Sequence, residues 1–193
     1  IGFPSLDVVE FPGSRWRFND QNIVQDHFHK PNNDISKHSA GKVLIIAGSR
    51  GMTGAAILST YGALRSGAGL TITTSPSSLN EIYERSIIEG MTLSLNDDST
   101  GTVRHEHYDL IMDKVGWADS VLLGPGLGRD ISTQRLIKKL LISIDKPLVL
   151  DADGLFPFSA NIEYLSKREH PLIITPHFGE LARLMGEQKE LFI

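Results

Sequence analysis

The chain predicts an α/β domain built on a doubly wound, mostly parallel sheet. Three observations predict it. Continuous apolar runs of strand length recur along the chain: Val43-Leu44-Ile45-Ile46-Ala47, Val121-Leu122-Leu123, Leu148-Val149-Leu150 and Leu172-Ile173-Ile174. Runs without polar alternation mark strands buried on both faces. Each run ends in Gly, Asp or Thr-Pro punctuation, and segments of helical period lie between the runs. Finally, 193 residues at 40% hydrophobic and 22% charged suit one domain with a substantial core.

Residues 1–40 read as an N-terminal arm or linker. Phe11-Pro12-Gly13 and Pro31-Asn32-Asn33-Asp34 punctuate them, and no period of either kind is sustained. The first residue is Ile1, which suggests a start inside a longer or processed product. The domain proper is 41–193. It opens with the strand Lys42–Ala47, then Gly48-Ser49-Arg50-Gly51-Met52-Thr53-Gly54 and a helix that stops at Gly67. Gly69–Thr74 is a second strand. Ser77–Ile87 reads as one helix with Pro76 near its start. Met91–Leu95 alternates as a strand, and Asn96–Gly101 is a polar loop. Tyr108–Val115 is helical, with Leu110, Ile111 and Val115 on one face. Ser120–Leu123 is the central strand. Gly124-Pro125-Gly126-Leu127-Gly128 follows, and Asp130 caps a helix whose Leu136, Ile137, Leu140 and Leu141 share a face. Lys146–Leu150 and Pro171–Thr175 are the last strands. Pro176–Glu180 opens a final helix that includes Leu181–Met185.

Composition excludes several function classes. Net charge is −4 and the pI about 6.0, and basic residues are dispersed, so neither nucleic acid nor an anionic membrane is an expected partner. With no cysteine there is no disulfide, thiolate zinc site or cysteine nucleophile. No apolar run approaches the ~20 residues of a membrane span. With no signal pattern either, a cytoplasmic location is expected. The pairs His27/His29 and His105/His107 have no partner set suited to a metal and read as solvated.

Chemistry is expected at the strand ends. The Gly124–Gly128 turn either cradles an anion on its backbone N–H groups or is a tight turn that needs glycine. Asp151 and Asp153 end a buried strand. They suit a magnesium shell, a hydroxyl contact or proton transfer, or else one of them caps the following segment. His177 opens a helix after a buried strand. Several such loops at strand ends suggest one shared crevice. The spacing Gly48-x-x-Gly51-x-x-Gly54, with no acidic residue ending the second strand, departs from the dinucleotide fingerprint. No Gly-Lys-Ser/Thr loop is present.

Four motifs in this order resemble the ADP- or ATP-dependent NAD(P)H-hydrate dehydratases. They are Ala47-Gly48-Ser49 through Gly54-Ala55-Ala56, with Ala63–Leu70 beyond; Gly124–Gly128; Asp151-Ala152-Asp153; and Thr175-Pro176-His177-x-Gly179-Glu180. The resemblance implies a ribokinase-like three-layer α/β/α sandwich with a mostly parallel sheet. It implies a repair reaction on the S-epimer of hydrated NADH or NADPH, in which ADP or ATP, with Mg2+, phosphorylates the ring hydroxyl. Loss of phosphate then restores the dihydronicotinamide. On the same resemblance, Ala55, Gly126 and His177 contact the hydrated cofactor and Gly54 allows close approach. Asp153 and Asp151 line the reaction centre, and Glu180 orients its loop or a magnesium-bound water. Phe156 stands where the family carries an asparagine. The family's Gly-Thr-Gly-Asp loop, source of the expected catalytic Asp, is not in this sequence. The domain is therefore expected to be incomplete at its C-terminal end. Ile1-Gly2-Phe3-Pro4 is similar to the close of an epimerase domain, and a homo-oligomer is the expected assembly. A ribokinase-like small-molecule kinase and an inactive nucleotide-binding fragment are the alternatives.

Overall fold

The computed structural model describes residues 34–186. Ile1–Pro4, Pro31–Asn33 and the His27/His29 pair lie outside the described residues. The strands are β1 (Lys42–Ile46), β2 (Leu70–Pro76), β3 (Met91–Leu95), β4 (Ser120–Leu123), β5 (Leu148–Leu150) and β6 (Leu172–Ile174). The helices are α1 (Thr53–Arg65), α2 (Asn80–Ser86), α3 (Tyr108–Trp117), α4 (Ile131–Ser143) and α5 (Phe178–Met185). All strands are parallel, in the order β3-β2-β1-β4-β5-β6. The chain order reverses between β1 and β4, the place where open α/β sheets form a crevice.

Strand pleating sorts β1 into two faces. Ile45 and Ala47 pack with Ala56, Leu79, Tyr83 and Ile87 under α1 and α2. Leu44 and Ile46 join Ile111, Val115, Leu136, Ile137, Leu140 and Leu141 under α3 and α4. The result is the expected three-layer α/β/α sandwich. Ile173 of β6 is 61% exposed, so among the described residues nothing covers that face of the edge strand.

Three local expectations are corrected. Ser77–Ile87 is not one helix: Ser77–Leu79 is a 3-10 turn and α2 starts at Asn80. Leu110 is 54% exposed, because the buried pair on α3 is Ile111 and Val115, one full turn apart. His107 is buried rather than solvated. Its Nδ1 accepts from the Arg104 N–H at 2.9 Å and its Nε2 lies 2.7 Å from the Asn96 carbonyl.

Two buried charges hold the connections. Asp97, 1% exposed, takes hydrogen bonds from Ser77 Oγ, Ser78 N–H, Ser78 Oγ and Gly101 N–H at 2.9, 2.9, 2.7 and 2.5 Å. Those donors draw the chain after β2 into its 3-10 turn. Burial alone would raise the Asp97 carboxyl. The bonds from Ser78, Gly101 and Ser77 outweigh it and hold the group well below the usual carboxylate range. Arg168 serves the end of α4, whose last carbonyls have no partner within the helix. Its Nη1 donates to Leu141 O and Ile144 O at 2.7 and 2.6 Å, and its Nη2 to Lys146 O at 2.5 Å.

Two stability outcomes are expected. Gly124 has φ +130°, and a Cβ there would run into the Asp151 carbonyl. Gly124→Ala should therefore cost about 3 kcal/mol or more in urea unfolding. Asp97 has a depressed folded pKa, so its stabilisation is full above the unfolded value of about 4 and is lost as pH falls toward the folded value. Asp97→Asn should flatten the fall in stability below about pH 4, measured as urea midpoint against pH.

Candidate functional site

Four loops meet at the carboxyl ends of β1, β4, β5 and β6. The β1 loop, Gly48–Met52, leads into α1. No side chain caps α1, and no acidic residue stands in its first turn. Its leading N–H groups carry the positive end of the helix dipole. A Cβ on Gly54 would meet nothing within 4 Å, so the helix start is open beside that residue. A Cβ on Gly126 would lie 2.8 Å from that of Ala55, so the β4 loop packs on the first turn of α1. Ala55 and Gly126 thus press together, with Gly54 beside Ala55 in the chain at the open helix start. Two bonds seal the contact: Gly48 N–H to Pro125 O at 2.7 Å, and Ser49 Oγ to Gly126 O at 2.8 Å. Gly48 itself admits the buried Tyr83 hydroxyl, which a Cβ would strike. Burial pushes that phenol up to about 12.

Gly124–Gly128 forms a tight turn that needs its glycines and engages most of its N–H groups. The N–H groups of Gly124, Leu127 and Gly128 donate to Ile46 O, Gly124 O and Asp153 Oδ2. Gly124, Gly126 and Gly128 all have positive φ, at 130°, 63° and 78°. Asp130 caps α4, accepting from the Ser132 and Thr133 N–H groups at 2.8 and 3.4 Å. The open helix start belongs to α1 instead.

The β5 loop holds both aspartates, and neither caps the 3-10 segment Ala152–Gly154. Asp151 Oδ1 accepts from Thr175 Oγ1 at 2.6 Å. Asp153 Oδ2 accepts from the Gly128 N–H at 3.0 Å, and its Oδ1 faces Arg129 Nε at 3.6 Å. Between them Ala152 adopts φ +52°, a conformation that costs an alanine about 1–2 kcal/mol. After β6, His177 caps α5 through Nδ1, which accepts from the Gly179 N–H at 3.0 Å. Glu180 Oε2 accepts the His177 N–H at 3.0 Å, and Oε1 lies 3.3 Å from His177 Nε2. An acceptor Nδ1 puts the neutral ring's proton on Nε2, toward Glu180. Glu180 thus touches both the backbone and the ring of His177. The His177 ring stays 71% exposed and so is open to a ligand. His177 and Glu180 form a pair of their own, two residues and more along the chain from Thr175, which bonds Asp151.

Several contacts of the crevice carried no signal in the sequence. Ser49 and Thr175, which stand inside the motifs, tie loops together, and Arg129, which stands outside them, pairs with Asp153. Phe156 takes the position of the expected asparagine. It holds the Arg129 guanidinium 4.4 Å and that of Arg183 5.9 Å from its ring centre, a cation–aromatic stack in place of an amide. Among the described residues no three acidic or histidine side chains gather as a metal cage. A Mg2+ carried by nucleotide phosphates needs only one or two carboxylates, which Asp151 and Asp153 fit. No described helix is long and apolar enough to cross a membrane.

Comparisons with known proteins bear on the chain as a whole. The chain is 37% identical over 158 residues to the bifunctional NAD(P)H-hydrate repair enzyme Nnr of Moorella thermoacetica, covering 81% of this chain and 30% of that protein. The enzyme of the same name from Dictyoglomus turgidum is 31% identical and covers 98% of this chain and 37% of its own length. The chain therefore spans about a third of the length of these relatives. Among solved structures, a ribokinase-like superfamily protein of Enterococcus faecalis superposes with TM-score 0.68 at 28% identity, over 83% of this chain and 54% of that one. The ADP/ATP-dependent NAD(P)H-hydrate dehydratase of Bacillus subtilis, co-crystallized with ATP/Mg2+, gives TM-score 0.59 at 27% identity, over 83% and 53%. The family model described as NAD(P)H-hydrate dehydratase matches residues 43–191. That match takes in all four loops of the crevice, and this chain belongs to the NAD(P)H-hydrate dehydratase family.

Proposed function

We propose that this chain supplies the hydrated-cofactor side of a nucleotide-dependent NAD(P)H-hydrate dehydratase. The observation that carries the reading is the contact of Gly126 with Ala55 at the open helix start that holds Gly54, in loops bonded onward to the Asp151 and Asp153 carboxylates. The open wall gives a flat ring close backbone approach. The uncapped start of α1 favours an anionic group such as a dinucleotide phosphate. His177 presents an exposed imidazole at the end of the crevice.

The reaction is phosphoryl transfer followed by elimination. The ring hydroxyl gives up its proton to solvent or a neighbouring base as its oxygen attacks the terminal phosphorus of ADP or ATP, and one P–O bond forms as the bridging P–O bond breaks and the shortened nucleotide leaves. The carbon–oxygen bond then breaks with phosphate as leaving group, a neighbouring carbon loses a proton, and the dihydronicotinamide returns. Hydroxide is a poor leaving group and phosphate a good one. What the protein contributes is position and charge. Asp153, braced by Gly128 and Arg129, holds a fixed negative charge where the substrate hydroxyl would lie. When bound, Mg2+ neutralises charge on the transferring phosphoryl group. The reading includes a cytoplasmic homo-oligomer. It also includes a preceding epimerase domain, and for that second activity the support is the word bifunctional in the names of the relatives.

The test uses the full-length protein with hydrated NADH, Mg2+ and ADP or ATP, followed by the absorbance of restored dihydronicotinamide. Recovery that requires nucleotide is the expected outcome. Accumulation of a stable phosphorylated product would favour a small-molecule kinase, and binding without turnover an inactive fragment. Gly54→Ala should change stability by less than about 1 kcal/mol, since its Cβ meets nothing, yet raise KM for the hydrate roughly tenfold or more. Asp153→Asn keeps an acceptor for Gly128 and removes the charge. It should cut kcat roughly 100-fold with little change in melting temperature.

A further inference from the structure

The crevice wall formed by Gly54 and Ala55 is held from behind by a group that lies outside all four family motifs. Asp97 sits in the loop after β3 and takes four hydrogen bonds, two of them from Ser78 and one from Gly101. Both of those residues lead to Arg50, in the middle of the β1 loop. The Gly101 carbonyl accepts the Arg50 N–H at 2.7 Å. The Arg50 guanidinium donates to Ser99 O at 3.0 Å and to Ser78 Oγ at 3.4 Å. Gly101 lies so close that a Cβ on it would come 2.6 Å from that of Arg50, at φ +74°. The loop and the arginine therefore fit only with glycine there. On its other side the same β1 loop is tied to Gly126 by Ser49. Arg50 is thus gripped at its backbone and its side chain by two segments that one buried carboxylate holds together.

We infer that Asp97 is a positioning residue for the hydrated-cofactor wall, acting through Gly101 and Arg50 on the loop that presents Gly54 and Ala55. This inference rests on the proposed function. Asp97 touches no part of the open wall. A buried carboxylate with four donors has one low-energy placement, and the placement passes through two short links to the start of α1. Losing it lets the loop shift while β1 and α1 remain formed, and the crevice loses its fit to a ring before the domain loses its fold.

The experiment compares Arg50→Ala, Asp97→Asn, Ser78→Ala and Ser78→Thr with wild type in the full-length protein. Steady-state kinetics are measured with hydrated NADH and with nucleotide, and calorimetry gives the Kd for hydrated NADH alone. Arg50→Ala and Asp97→Asn should raise KM and Kd for hydrated NADH about tenfold, with kcat and KM for nucleotide within about twofold. Ser78→Ala should move the same constants in the same direction, and Ser78→Thr, which keeps the hydroxyl, should restore them. Folded variants with a lowered melting temperature but unchanged KM and Kd for the hydrate would overturn the inference and leave Asp97 a purely structural group. Wild type that binds hydrated NADH but does not turn it over would sink the proposed reaction, while the Kd series would still decide the role of Asp97. Wild type that does not bind hydrated NADH would overturn both.

Discussion

The contact between the β4 loop and the β5 loop is the constraint on which the rest of the crevice depends. Gly124 has no side chain, so the Asp151 carbonyl can lie where a Cβ would otherwise stand. That approach brings the Gly128 N–H onto Asp153 and leaves Gly126 free to press on Ala55. From there the bonds run outward in both directions. Gly48 and Ser49 bind back to Pro125 and Gly126, and Thr175 binds across to Asp151. A larger residue at position 124 would part the two loops and with them the two halves of the site.

The electrostatics divide along the same line. On the β1 side stands a helix start with no acidic cap, on the β5 and β6 side the carboxylates of Asp151, Asp153 and Glu180. Arg129 is spread over the face of Phe156 and paired with Asp153. The positive-φ alanine between the two aspartates is the backbone cost of placing both carboxylates beside neighbouring loops.

Most of the sheet was legible because strands buried on both faces are continuous apolar runs, and β3 and β4 have the expected ends. The Asp130 cap was legible because its partners lie two and three residues away. Gly54, Ala55, Gly126, Asp151, Asp153, His177 and Glu180 are candidates from the motifs, and they lie in loops or helix starts at the carboxyl end of the sheet. What escaped notice acts over distance. Asp97 reaches back 20 residues to Ser77, Arg168 reaches back 27 to Leu141, and Ser49 reaches forward 77 to Gly126. A carboxylate in a stretch of Asn, Asp, Ser, Thr and Gly looks solvated until the chain brings its donors in. Leu110 and the single helix at Ser77–Ile87 were misjudged for the opposite reason: local pattern spoke clearly, and tertiary contacts decided otherwise.

The lacing of the loops also bears on how the crevice breathes. Each loop is bonded to its neighbour, so no one of them can swing out without breaking bonds in the next. Local opening of the β1, β4, β5 and β6 loops is therefore a single cooperative event rather than four independent ones. A ligand entering here meets a wall already in place, and any movement of one loop to admit or seal it carries the other three along.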